Sequence, residues 1–438
     1  MVLAPARSRL KSSRGIPVSN DVAAIRVQVA RQIAHWRAAV VGLDDLENFA
    51  SASAWASLEQ YLGTSLIGNL RTAVNRLKLE SDVLAAELRA AETSEELERL
   101  RRHVVRFRRR FLAVEKGVEF YGDCVASRAN PKLAALLTAC DILAERSLDQ
   151  VLTPLGRRVP PVLSWVSSGV GASVLRSGLR LWDGRTLSVA AAIKLTRHNL
   201  NGRPTALLHE AGHQLAFMLD WNGELANALR RELRDVPEVA ETWAGWSSEI
   251  AGDTFAFAHA GYAAVAALHD VIAGEESSVY ALRPFDPHPV AHLRVLLGAA
   301  MAVRFFGAGP WDGLSRAWLL AHPVSHAPSD VRSLLEHSIP RLPRIAETCL
   351  LQSMRAFGGR SLTAFVDPLR VRPDALAALA REAGPSLGTS SHWLWNESLR
   401  LLALSGYRLA TEPEQAREIV QEFEGWMLRL GRGVRMAA

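Results

Sequence analysis

Two histidines and a glutamate in the segment TALLHEAGHQLAF form the pattern H-E-x-x-H, as His209, Glu210 and His213. Residues four apart share one face of an α-helix, so both imidazoles can direct a nitrogen at one ion. Neutral imidazoles bind zinc well, and a zinc ion with an open coordination position acidifies water. Glu210 lies about 100° further round such a helix, within reach of that water as a proton acceptor. The pattern therefore predicts a catalytic zinc site.

A catalytic zinc needs a third protein ligand, and the segment WSSEIAGDTFAFAHAG offers Glu249 and Asp253, four residues apart among apolar residues. Two carboxylates on a buried helix are costly unless they bind a metal or accept hydrogen bonds. We predict that Glu249 is the third ligand and that Asp253 orients an imidazole ring. The alternative ligands, all in more polar surroundings, are Asp220, Glu224, Glu232, Glu238 and Glu241.

H-E-x-x-H followed by E-x-x-x-D resembles the gluzincin metallopeptidases. Within them, EIAGDTFA is similar to the E-x-x-A-D-x-x-A segment of the CAAX-prenyl-protease-like family, with Gly252 where that family usually has Ala. A His-Pro…Arg segment of that family is similar to His288-Pro289 with Arg294. The resemblance covers about 205–295. The membrane helices of that family are missing here, so we expect a soluble relative.

The resemblance implies a zinc endopeptidase in which a strand near 186–198 offers its edge to the substrate peptide. It assigns zinc ligation to His209, His213 and Glu249, acid–base catalysis to Glu210, support of the ligands to Asp253, and oxyanion or substrate contacts to His288 or Arg294. Alternative oxyanion donors are His292, Tyr262 and Tyr280. We interpret His198, His259 and His269 as structural, and Trp243 and Trp246 as core residues.

The elements that position these residues are expected to be mainly helical, with one small β-sheet. A β-hairpin is predicted at 179–189, where Asp183-Gly184 separates two apolar runs. Pro204 then precedes the predicted motif helix at about 205–219. The predicted domains are a basic disordered tail at 1–20, a helical bundle at 21–152, a zincin-like catalytic domain at 163–300 and a C-terminal helical region at 301–438.

Arginine dominates the basic residues, since only five of the 51 are lysine, and the net charge is +6. Seven arginines lie close together in the bundle, at Arg99, Arg101, Arg102, Arg106, Arg108, Arg109 and Arg110. We interpret them as a solvated helix face with ion pairs to nearby glutamates at 92–98. The alternative is a strip that binds a partner or phosphate groups. From the sequence we do not expect nucleic acid as a partner.

The composition is that of a globular protein, with 438 residues, 49% hydrophobic and 22% charged, which excludes wholesale disorder and collagen-like repeats. Cys124, Cys140 and Cys349 form no C-x-x-C pattern and are expected to be buried and unpaired in a reducing compartment. No run reaches the roughly 18 apolar residues of a membrane span, since the longest is 254–268. No Sec signal is recognised.

The sequence thus favours a soluble zinc endopeptidase that acts on a protein or peptide substrate. We expect it in the cytoplasm, with Sec-independent export, as for an effector, as the alternative location. The alternative function is a non-catalytic helical binding protein that uses the arginine-rich strip for nucleic acid or membrane and keeps a structural metal site.

Overall fold

The computed structural model describes residues 18–62, 65–167, 172–176, 190–200, 205–284 and 286–433. The secondary structure of these residues is mainly α-helical with one small sheet, which confirms the predicted fold class. The chain divides into two compact units, 18–122 and 123–433. The predicted hairpin, Pro204 and the first 17 residues of the predicted tail lie outside the described residues.

The helices of the first unit are α1 (Val18–Asp44), α2 (Ala52–Leu62), α3 (Leu66–Ala90) and most of α4 (Ser94–Ser127). Helix α4 buries Phe111 against Trp36 of α1, with ring centroids 5.2 Å apart. Polar contacts also tie α4 to α3: Nδ1 of His103 lies 3.0 Å from Oε2 of Glu87, and Arg110 forms an ion pair with Glu80. The apolar periodicity of this region therefore corresponds to a packed helical unit.

The second unit contains three strands and the remaining helices. They are α5 (Pro131–Leu152), β1 (Val162–Val166), β2 (Ser173–Leu175), β3 (Ala191–Leu195), α6 (Thr205–Leu219), α7 (Trp221–Glu232), α8 (Pro237–Gly245), α9 (Ser247–Ala260), α10 (Tyr262–Ile272), α11 (Glu276–Val279), α12 (Ala291–Phe306), α13 (Pro310–Ala321), α14 (Ser329–Ser338), α15 (Leu342–Leu351), α16 (Pro373–Ala383), α17 (Ser391–Thr411) and α18 (Ala416–Gly433).

The sheet has the order β1-β3-β2. Strand β3 pairs in parallel with β1, with Val162 opposite Ala191, and antiparallel with β2, with Ser173 opposite Lys194. The strand that we expected to offer its edge, near 186–198, therefore lies in the centre with both edges occupied, and that expectation was wrong. Strands β1 and β2 lie on opposite sides of β3, so β2 is an edge strand of the described sheet.

Two carboxylates of α5 cover the outer edge of β1. Asp141 Oδ1 accepts a hydrogen bond from the backbone N–H of Ser164 at 2.6 Å, and Glu145 Oε1 accepts one from Val162 at 2.8 Å. Arg128 pairs with Asp141 at 2.6 Å. Edge N–H groups need such acceptors when they are buried. Helix α5, which we placed in the N-terminal bundle, thus packs on the sheet of the second unit.

The longest apolar run of the sequence folds as two helices. Gly261, with a φ of 56°, separates α9 from α10, and a Cβ at this position would lie 3.2 Å from the ring of Phe306. Only glycine combines a positive φ with the absence of a Cβ, so it fits this position without strain. Among the described helices, none is long and apolar enough to cross a membrane.

The predicted core residues are buried. Cys124, Cys140 and Cys349 are free thiols in the interior, and burial raises the pKa of Cys349 to about 12. Trp243 and Trp246 pack against each other with ring centroids 5.6 Å apart. These observations confirm the three cysteines as small core residues and the two tryptophans as core aromatics.

A pH-dependent stability is expected from Glu145. Burial raises its pKa from 4.5 to about 7, so the folded protein holds this proton more tightly than the unfolded chain does. The stabilisation is complete below pH 4.5 and is lost as the pH rises through 7. Glu145→Gln keeps an acceptor for Val162 without the buried charge. Its free energy of unfolding should exceed that of the wild type by about 1–3 kcal/mol at pH ~8.

Urea denaturation with a chelator present, at pH ~8 and pH ~4.5, measures this difference. The advantage of Glu145→Gln should vanish at the lower pH, because the wild-type side chain is then neutral as well. An equal gain at both pH values would contradict the buried-charge explanation.

Candidate metal centre

Helices α6 and α9 approach each other closely at two glycines. A Cβ on Gly212 would lie 2.9 Å from the Cα of Gly252 and from the Cβ of Phe255. A Cβ on Gly252 would lie 2.7 Å from the Cε1 and Nδ1 atoms of His209. Such distances are too short for any side chain larger than hydrogen. The histidine-bearing face of α6 therefore lies directly against the face of α9 that carries Glu249.

The two imidazoles and the carboxylate converge. Nε2 of His209 lies 3.3 Å from Oε2 of Glu249, and Nε2 of His213 lies 3.2 Å from Oε1 of the same carboxylate. One ligand atom from each residue fits within 4.8 Å of the other two. Bonds of about 2.0–2.1 Å at tetrahedral angles separate the ligand atoms of a zinc ion by roughly 3.3 Å. The three side chains are therefore close enough together to hold one metal ion.

The other nitrogen of each ring has its own partner. Nδ1 of His209 lies 2.9 Å from Oδ1 of Asp253, as the sequence predicted for a carboxylate that orients a ring. Nδ1 of His213 lies 3.4 Å from Oγ of Ser248, a residue that sequence reasoning missed although it directly precedes Glu249. Acceptors at Nδ1 leave Nε2 of both rings free to bind a cation.

Arg294 of α12 holds Asp253 in place. Its Nε and one terminal nitrogen each lie 2.7 Å from a different oxygen of Asp253, and a terminal nitrogen lies 3.4 Å from Oε2 of Glu249. Its side chain is only 10% exposed. We had considered oxyanion or substrate contact for this guanidinium. Its bidentate pairing instead favours a role in orienting Asp253 and, through it, His209.

The buried charges of this cluster attract a cation. Burial lowers the pKa of His209, but hydrogen bonds to Asp253 and Glu249 outweigh it and raise the pKa to about 10. Burial raises the pKa of Glu249, but bonds to both histidines hold it well below its usual range. Arg294 likewise overcomes burial and lowers the pKa of Asp253 to about 2. The carboxylates therefore remain ionised and favour positive charge between the rings.

Glu210 is 6% exposed and lines the same cavity as the two histidines. Burial raises the pKa of its carboxyl group above the usual value, while His209 and His213 oppose this shift. It is not among the three side chains that converge as ligands. This is the arrangement in which a carboxyl group can exchange protons with a bound water without occupying a ligand position.

His288 reaches the cluster from the loop before α12. Its Nε2 lies 3.7 Å from Oε2 of Glu249, and Asp286 accepts hydrogen bonds from its Nδ1 at 2.6 Å and from its backbone N–H at 3.0 Å. The ring is 58% exposed, so Nε2 is accessible from the cavity. Sequence reasoning missed Asp286, and its position two residues before His288 was the available signal.

The alternative residues have other partners or positions. Among the alternative ligands, Glu224 accepts hydrogen bonds from the backbone N–H groups of Arg355 and Ala356. Glu232 pairs with Arg344, Glu241 pairs with Arg230, and Asp220 and Glu238 are exposed.

The alternative oxyanion donors also have other partners. Tyr280 donates to the carbonyl of Pro323, His292 faces the carbonyl of His322, and Tyr262 packs on Trp311. His259 is buried against Phe255, His269 pairs with Asp270, and His198 contacts Thr196 at the cavity wall.

The metal affinity should depend on Gly252. Gly252→Ala places a methyl group against the ring of His209 and must displace it. We expect zinc affinity to fall roughly 10–100-fold, as for other changes that misorient a ligand. Gly223→Ala in α7 is the matched control, since a Cβ there meets nothing within 4 Å. Titration with a competing chelator measures both, and an unchanged affinity in Gly252→Ala would contradict this geometry.

Comparison of the chain with protein-family models, with curated proteins and with solved structures finds no match. The likeness to gluzincins therefore consists of the sequence motifs alone. The chemistry of the centre has to be inferred from its own side chains.

Proposed function

We propose that this protein is a zinc-dependent endopeptidase similar to the gluzincins. The observation that carries the proposal is the convergence of His209, His213 and Glu249 within 4.8 Å. Glu210 lies beside them in a cavity of about 890 Å³ that is accessible from outside. Two imidazoles, one ligand carboxylate and a second carboxyl group are the set that metal-assisted hydrolysis requires.

Each side chain has a role in this proposal. Bound zinc would acidify a water molecule and polarise the carbonyl group of the substrate. Glu210 accepts a proton from the attacking water and later delivers it to the leaving amine. His288, held by Asp286, is placed to contact the oxyanion through Nε2. Asp253 keeps the ring of His209 in its binding orientation.

A peptide substrate is favoured by the position of β2. Ala172, Ser173, Val174 and Arg176 line the cavity together with the metal centre. Among the described strands, β2 pairs only with β3, which leaves its second edge without a described partner. An extended peptide can add to such an edge through backbone hydrogen bonds and present its carbonyl groups to the centre.

The far end of the cavity suggests a preference for apolar residues. Beyond the polar centre, the cavity continues between α10, α12, α17 and α18. Its wall there includes Val265, Leu268, Leu297, Met301, Leu409 and Val420. Apart from Asp270 of α10, the side chains of this wall are mainly apolar, so it accepts an apolar side chain. We propose substrates with a large apolar residue beside the cleaved bond.

Glu210→Gln should abolish hydrolysis without loss of metal. The amide cannot accept and return the proton, and we expect peptide cleavage to fall at least ~100-fold. Zinc should remain bound at the wild-type ratio, because Glu210 is not one of the converging ligands. Fluorogenic peptides with apolar residues at the cleavage site measure activity, and elemental analysis measures zinc. Retained cleavage would overturn the assignment of Glu210.

Glu249→Ala should lose the metal. It removes the only carboxylate of the converging set, and the two imidazoles alone hold zinc weakly. Glu232→Ala is the matched control, since Glu232 is a rival from the sequence that pairs with Arg344. Elemental analysis of both purified variants should show zinc only in the control. Full zinc occupancy in Glu249→Ala would exclude this ligand assignment.

A further inference from the structure

Helix α4 has one continuous buried seam. Its residues recur at alternating intervals of three and four, which is the repeat of a helix packed along one side. They are Leu97, Leu100, Val104, Phe107, Phe111, Val114 and Val118, each at most 2% exposed. The seam fixes which face of α4 points away from the helices of the first unit.

The opposite face carries a line of cations. We call Arg99, Arg102, Arg106, Arg109 and Lys116 the basic stripe, and all five are exposed. They follow the same alternating intervals, shifted by two residues from the seam. At 1.5 Å per residue, the stripe is roughly 26 Å long. Between Arg99 and Lys116, Ala113 is the one uncharged position of this repeat, so this span contains no acidic residue, and Glu95 lies one step before Arg99.

The stripe differs from the ion-paired face that the sequence led us to expect. Two arginines beside it do pair, Arg101 with Glu98 at 2.8 Å and Arg110 with Glu80. Among the described residues, no carboxylate forms an ion pair with any member of the stripe. Glu96 instead accepts hydrogen bonds from backbone N–H groups at the start of α4. Hydrogen bonds to backbone N–H groups lower the pKa of Glu96, with a smaller contribution from nearby Arg99, and Arg101 lowers the pKa of Glu98, with a smaller contribution from Arg102. All five cations are exposed and can still contact an external anion.

We infer that the basic stripe binds the phosphate backbone of a single-stranded nucleic acid. Guanidinium groups bind phosphate in bidentate geometry, and arginines make up four of the five cations. Steps of three and four residues place the four arginines about 4.5–6 Å apart along a straight helix, and Lys116 follows about 10.5 Å beyond Arg109. This linear array matches a chain of phosphates better than it matches a double helix, whose strands turn away from a straight rod.

The charges around the stripe disfavour a membrane surface. Residues 18–122 contain fifteen basic and fourteen acidic side chains, yet seven of the basic ones lie within 99–110. The rest of the unit is therefore acidic, and a broad anionic surface would meet repulsion around the stripe. A thin polyanion can follow the cations and avoid the acidic faces. Val105 and Leu112, 39% and 42% exposed, flank the stripe and offer apolar surface to unstacked bases.

Salt dependence tests this inference on the full chain. The probe is a fluorescent 20-nucleotide oligothymidylate, and its anisotropy gives the affinity at several salt concentrations. Neutralising five phosphates of a single strand predicts a slope of log K against log salt of about −3.5. The triple variant Arg102→Gln, Arg106→Gln, Arg109→Gln should reduce this slope to about −1.4 and weaken binding at least ~10-fold at 0.1 M salt.

A second triple variant controls for net charge. Arg37→Gln, Arg101→Gln and Arg110→Gln remove the same charge from arginines that already pair with Asp82, Glu98 and Glu80. It should keep the wild-type slope. Equal losses in both variants, no binding by the wild type, or stripe-dependent binding to phosphatidylserine vesicles without binding to the oligonucleotide would each overturn the inference. Peptide cleavage should be unchanged in both variants, so this test is independent of the proposed catalysis.

Discussion

The metal centre depends on the close approach of α6 and α9. Gly212 lies on the same side of α6 as His209 and His213, and Gly252 lies one turn from Glu249 on α9. On each helix, a glycine and the side chains that converge as ligands thus share the contact face. The separation of the two helices therefore also sets the distance between the ligand atoms. Each glycine costs about 1 kcal/mol relative to alanine in a helix interior. The close approach of the two helices offsets this cost, because a larger side chain at either position would force the ligands apart.

Close packing alone would bury carboxylates at a prohibitive cost, and the surrounding charges remove much of it. Arg294 comes from a third helix, α12, and binds Asp253 through two hydrogen bonds. Asp253 in turn accepts from His209, so one chain of contacts runs from α12 through α9 to α6. A buried ion pair of this kind adds little net stability, because desolvation opposes it. Its contribution is positional, since it leaves one orientation for the ring of His209.

The sequence predicted the centre better than it predicted the scaffold. His209, His213, Glu249 and Asp253 could be found because a spacing of four fixes a shared helix face and because buried carboxylates require partners. Asp286 was missed, although its position two residues before His288 was the available signal, because no periodicity shows which loop side chain turns toward a ring. The order of the strands in the sheet could not be predicted for a similar reason. Alternating hydrophobicity identifies a strand but not its neighbours, so nothing in the central strand's sequence revealed that both its edges are paired.

The hydrogen bonding at the two edges of the sheet relates the sheet to the candidate metal centre. Asp141 and Glu145 of α5 occupy backbone donors at the outer edge of β1, so an added chain cannot use those donors. The second edge of β2 has no partner among the strands that the structure describes, and β2 lies at the wall of the cavity that contains the three converging side chains. Strand β3 leads through the short helical segment Arg197–Leu200 toward α6. The same strand thus supports β2 and leads toward the motif helix, which places the edge where we propose that a peptide adds beside the candidate metal centre.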